Sequence, residues 1–123
     1  MIRLIRAYLL LLCLCISAAY GKRKPPPLVS PVDHDGVRYF AVLWGVDFGE
    51  QQNGGFVEAR DLKDRHLVWR AKVYITKYDD AIERDVQDLF ITAMGIENGQ
   101  LVVVNENHEK YIVNLKTRVS RKA

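Results

Sequence analysis

Three histidines, His34, His66 and His108, are the side chains best suited to proton transfer or metal binding near neutral pH. Each sits among acids: Asp33-His34-Asp35-Gly36, Asp61-Leu62-Lys63-Asp64-Arg65-His66 and Glu106-Asn107-His108-Glu109. If the corners carrying His66 and His108 met at one end of a sheet, they could hold an ion with nearby carboxylates. That would make a small-ligand or metal-dependent enzyme using turn histidines and carboxylates. The local spacing points elsewhere. Adjacent residues on an extended chain face opposite sides, so Asp33, His34 and Asp35 do not converge on one ion. With Gly36 they read as an Asx-type turn.

Other chemistry fares no better. Ser30 and Ser120 are the serines outside the N-terminal segment, both lie in tails, and no histidine stands in a nucleophile motif. The acids Asp79, Asp80, Glu83, Asp85 and Asp88 suggest calcium, but the sixth-position glycine of an EF-hand loop is missing. They read as acids favoured at a helix start by the macrodipole. Asp47-Phe48-Gly49 spells a kinase triplet without the glycine-rich loop, strand lysine or catalytic loop that give it meaning. No catalytic residue, metal ligand or cofactor is assigned, and the balance is against an enzyme.

The N-terminal residues have their own logic. Arg3 and Arg6 precede an apolar run from Ala7 to Ile16, and Ser17-Ala18-Ala19-Tyr20-Gly21 is rich in small residues. That is the order of a secretory signal peptide, 1–21, with cleavage expected after Gly21, or after Ala18 or Ala19. The run is shorter than the about 20 apolar residues of a membrane span, so no stable span is expected after cleavage. Cys13 and Cys15 both fall inside this segment, and the mature chain has no disulfide or thiol chemistry. Removing Arg3 and Arg6 leaves 16 basic against 15 acidic residues, which gives no nucleic-acid signature. The chain reads as exported, to a periplasm or the cell exterior.

The mature protein divides into a Pro-rich basic extended tail, 22–36, a β domain, 37–117, and a basic C-terminal tail, 118–123. All four prolines lie in the first tail. Val37 to Val46 is β-branched and aromatic, as in a central strand covered on both faces, with Trp44 in the core. A second strand, Gly55 to Arg60, follows. Leu67 to Thr76 alternates, with Leu67, Trp69, Ala71, Val73 and Ile75 on one face and Arg70, Lys72 and Tyr74 on the other. Asp80-Ala81-Ile82-Glu83 fits a capping box and allows one short helix near 80–88. From Leu89 to Leu115 the chain reads as a meander turning at Asn98-Gly99, the dipeptide suited to a two-residue hairpin. The expectation is an all-β or mostly β fold: one antiparallel meander, small barrel or sandwich of five to six strands.

Glu58-Ala59-Arg60-Asp61, a polar turn, then Leu67-Val68-Trp69-Arg70 and Lys72-Val73-Tyr74 resemble one blade of the PQQ-like β-propeller repeat. The resemblance spans about Gly55 to Tyr74. Lys63-Asp64-Arg65 stands where that repeat carries a turn glycine, so what is implied is hairpin geometry, not quinone binding. The mature chain as a whole is similar to small exported bacterial proteins of unassigned function, from which no site residue carries over.

The function expected is a non-catalytic binding or structural module of the cell envelope or exterior. A sheet with few covering elements implies a protein partner or self-association through its surface or edge. The polar loop Asp47 to Gly55 is the candidate contact surface, through Phe48, Glu50, Gln51, Gln52 and Asn53.

Overall fold

A computed structural model describes residues 23–123, so the segment read as a signal peptide lies outside the described residues. The fold is mostly β: two antiparallel four-stranded sheets, one 3-10 turn and one short helix. The first sheet is the meander β1 (Val32–His34), β2 (Val37–Val42), β3 (Phe56–Asp61) and β4 (Leu67–Lys72). The second is the meander β5 (Ile91–Glu97), β6 (Gln100–Asn105), β7 (Lys110–Val113) and β8 (Ser120–Lys122). Among the described residues neither sheet closes into a barrel.

Turn chemistry sets the register. Asn98 and Gly99 hold φ of 51° and 73° and join Glu97 to its partner Gln100. Asp35 and Gly36 do the same at 49° and 75°, joining His34 to Val37. These are two-residue hairpins whose twist matches that of the strands. Two later corners share another design. The side-chain Oδ1 of Asp61 accepts from the N–H of Lys63 and Asp64, and that of Asn114 from Lys116 and Thr117. Arg65 and Arg118 then take φ of 65° and 64° to return the chain. The connection from β6 to β7 is built around buried Asn105, whose side chain serves Asn107, Glu109 and the Glu109 carboxylate.

One apolar core lies between the sheets. Tyr39, Val57, Ala59 and Trp69 of the first pack with Ile91, Leu101, Val103 and Val113 of the second. Burying such side chains stabilises the fold by about 1.5–3 kcal/mol each. Two satellites flank it: Phe56 beneath the 3-10 turn, edge-on to Phe48, and Phe90, edge-on to Trp44.

Among the described residues there are eight strands rather than five to six. The extra ones, β1 and β8, are three-residue edges in segments read as tails; too short to show a period, they pair because the turns beside them fold them back. β2 stops at Val42 instead of running to Val46. A Cβ on Gly45 would collide with the Gln52 carbonyl and the Phe56 ring, so this glycine makes a close corner and opens the 3-10 turn Gly45–Phe48. Trp44 is consequently 46% exposed and not core, while Trp69 is buried as expected. β4 ends at Lys72, and beyond it the alternation fails: Tyr74 is buried and Ile75 is 75% exposed. The helix is a single turn, α1 (Arg84–Gln87), so its N-cap position falls on Glu83 and not on Asp80, where the capping-box reading puts it. The Gln87 side chain holds this stretch instead. Its amide donates to the carbonyls of Asp79, Ile82 and Glu83, and its oxygen accepts from Asp79 N–H.

Candidate functional site

The long connection from β2 to β3, residues 43–55, and the crossover 73–88 meet over one end of the first sheet. Their joint is the Gln52 side chain, 4% exposed. Its amide donates to the carbonyls of Gly54 (2.9 Å) and Tyr74 (3.0 Å), and its oxygen accepts from Thr76 N–H (2.9 Å). A side-chain amide thus takes the place of a neighbouring strand where β4 has left the ladder, satisfying backbone groups that burial would otherwise penalise.

Asn53 makes a second joint. Its Oδ1 accepts from Val46 N–H, and its Nδ2 donates to Asp88, which also accepts from the Tyr78 hydroxyl at 2.7 Å. Burial, then that bond to Asp88, pushes the Tyr78 phenol up. Arg84 stacks on the Tyr78 ring at 3.8 Å and donates to the Gln51 carbonyl at 2.6 Å. Tyr74 donates its hydroxyl to the Leu89 carbonyl at 2.7 Å and lies beside Tyr111. Burial, foremost, pushes its phenol far up.

Between these joints lies a cleft of about 570 Å³. Val46 and Ile75 supply apolar walls, Lys72 and Arg84 the cations, and Gln51 and Asp80 further polar groups. Of the loop residues anticipated from sequence, Gln51 and Gln52 line it. Gln52 does so as a buried clamp whose amide is already engaged, so it has little surface to offer a partner. Asn53 is likewise committed to the joint. Phe48 packs on Phe56 under the Arg70 guanidinium, 3.9 Å from its ring centroid, and Glu50 pairs with Lys72 at 3.5 Å. Sequence reasoning missed Val46, Ile75 and Arg84. Val46 and Ile75 sat in runs that read as continuous strands, and Arg84 in an ambiguous crossover.

The polar clusters are resolved as turns. Asp61, Asp64 and His66 place one ligand atom each within 4.8 Å of one another, with Asp64 and His66 exposed. His34 and His108 do not join them. The arrangement follows from the corner itself. Asp61 accepts backbone N–H groups, and Asp64 accepts from the His66 N–H and meets its ring, which holds the Asp64 carboxyl below its ordinary value. The acids of 79–88 diverge. Asp79 accepts from Ala81 N–H, while Asp88 turns inward to Tyr78 and Asn53.

The outer face of the first sheet is closed by its own ion pairs. Asp33 and Arg38 pair through two bonds of 2.6 and 2.9 Å, and Glu58 accepts from both Arg60 and Arg70 at 3.0 Å. Burial opposes ionisation of Glu58, but the two guanidiniums overcome it and hold its carboxyl below the usual value. No protein-family model matches the chain, and no curated protein matches it either.

Proposed function

We propose that the chain is an exported, non-catalytic β domain that binds a segment of a partner protein in the cleft between 43–55 and 73–84. One observation carries this reading. Val46 and Ile75 are 50% and 75% exposed on the walls of a concavity whose borders hold Lys72 and Arg84. Aliphatic side chains left uncovered beside cations suit a ligand segment that places an apolar side chain next to a carboxylate. The basic start, short apolar run and small residues of 1–21 support export.

The test is selection from a random displayed-peptide library on the immobilised protein, repeated with Ile75→Lys and Arg84→Glu. The expected result is enrichment of sequences pairing an aliphatic residue with Asp or Glu, lost in both variants while their melting curves stay cooperative. Absence of enrichment, or enrichment indifferent to both substitutions, would refute the reading. Recovery from an exported fraction with Lys22 as first residue is the matching outcome for localisation; a cell-retained chain starting at Met1 is the contrary one.

A further inference from the structure

Beyond Lys72 the chain keeps the period of a strand without a strand as its neighbour. Tyr74 is buried, Ile75 exposed, Thr76 half-buried, Lys77 exposed and Tyr78 half-buried. The inward residues are pinned: Tyr74 and Tyr78 donate their hydroxyls to the Leu89 carbonyl and the Asp88 carboxylate, and the Thr76 hydroxyl is shut off from solvent. The step from Val73, whose N–H still reaches the Gly55 carbonyl, to Tyr74, also buried, shifts the period by one residue, as at a bulge.

An extended chain also sends its backbone groups to alternate edges, the N–H and C=O of one residue to one side and those of the next to the other. Gln52 takes up one edge, at Tyr74 C=O and Thr76 N–H. The N–H and C=O of Ile75 and Lys77 belong to the other edge, and among the described residues nothing bonds to them. Because β4 is the last strand of its sheet, this edge continues one that is already open. Ile75, Thr76 and Lys77 all line a concavity of about 410 Å³, and Ile75 and Thr76 also wall the cleft of about 570 Å³, so a second chain has room beside them. Unpaired backbone groups along an edge are a template for one more strand.

We propose that the partner segment binds as an added β-strand, its backbone pairing with Ile75 and Lys77. This rests on the reading of the cleft as a peptide site and gives that site a register. Partner residues opposite Ile75 and Lys77 are two apart and lie on the face that those two side chains occupy. Ile75, 75% exposed, is complemented by an aliphatic residue, and Lys77, which makes no ion pair among the described residues, by a carboxylate. The motif recognised is therefore an aliphatic residue and Asp or Glu with one residue between them, not side by side. A lysine on an edge discourages pairing with a second copy of that edge, whereas an acidic segment meets it as a counter-charge.

The peptide most enriched on the immobilised protein, made synthetically, is the probe. Amide hydrogen exchange is followed residue by residue by NMR, with and without it. In the free protein the Ile75 and Lys77 amides are expected to exchange freely while that of Thr76 is protected. Saturation with the peptide is expected to slow Ile75 and Lys77 by more than about tenfold. Selection repeated on Lys77→Glu, a change at an exposed side chain, is expected to replace the Asp or Glu two places from the aliphatic residue with Lys or Arg. Ile75 and Lys77 amides already protected in the free protein overturn the proposal. A peptide that binds without slowing them, or an acid preference indifferent to Lys77→Glu, overturns it while leaving the cleft a peptide site. A library that enriches nothing overturns both.

Discussion

Replacing Gln52 with Ala tests the account of how the cleft is built. The side chain makes three hydrogen bonds, to Gly54 O, Tyr74 O and Thr76 N, across two segments that share no ladder there. Leaving a buried donor or acceptor unpaired costs about 1–3 kcal/mol each. Water can enter from the cleft that Gln52 lines, so the low end applies, and the total is about 2–4 kcal/mol. For a domain of this size each kcal/mol moves Tm by roughly 4–8 °C, so the melt should fall by about 10–25 °C. Urea unfolding followed by tryptophan fluorescence would read the loss as a lower midpoint at unchanged slope, since Trp69 leaves the core on unfolding.

Gln52→Glu sharpens the test. It keeps the acceptor for Thr76 but loses both donors and sets carboxylate charge against two carbonyl oxygens. Its folded-state pKa must therefore rise above the unfolded one. A raised acid pKa means the native state holds the proton more tightly, so this variant loses stability relative to wild type as pH climbs from about 4, then levels off. A loss under about 0.5 kcal/mol for Gln52→Ala, the range of an ordinary surface change, would show that the amide is not the joint.

Two further outcomes follow from the same geometry. Gly54→Ala should cost about 2–4 kcal/mol in urea unfolding, because φ is +74° and the new Cβ would run into the Leu89 carbonyl; Gly99→Ala, at φ +73° with nothing nearby, should cost about 1 kcal/mol. Glu58 has a depressed folded-state pKa, so its contribution is present above the ordinary value of 4.5 and is lost as pH falls through the depressed one. The stability gap between wild type and Glu58→Gln should therefore be widest at neutral pH and close on acidification, and a gap that widens in acid would contradict the pairing with Arg70 and Arg60.

The turns were the legible part. Asn98-Gly99 announces a hairpin with positive φ at both positions, and the period-2 run through Trp69 announces a half-buried strand. A proline-free stretch after Gly36 agrees with two hydrogen-bonded sheets. What failed to show did so for specific reasons. The apolar run from Val37 carries no mark at Val42, because the break depends on Gly45 touching Gln52 and Phe56, a contact invisible locally. Tyr74 and Ile75 exchange faces because a side chain, Gln52, replaces the strand that alternation presumes. Polarity reads the loop as a contact surface, yet its buried Gln52 and partly buried Asn53 brace the cleft, and the uncovered surface comes from aliphatic residues beside it.

The two halves of the molecule are alike where the fold needs them to be and differ where contact with other molecules is possible. Each sheet opens with a two-residue turn, Asp35-Gly36 or Asn98-Gly99. Each closes with an Asx corner, at Asp61 or Asn114. The middle connection differs: residues 106–109 suffice between β6 and β7, whereas 43–55 join β2 to β3 and build the cleft. The outer faces differ too: one carries arginine–carboxylate pairs around Asp33 and Glu58, the other a Lys110–Glu97 pair beside Gly95 and buried Val102. A hairpin of two strands does not need the long connection, whose Val46 is left half exposed at a cost in free energy.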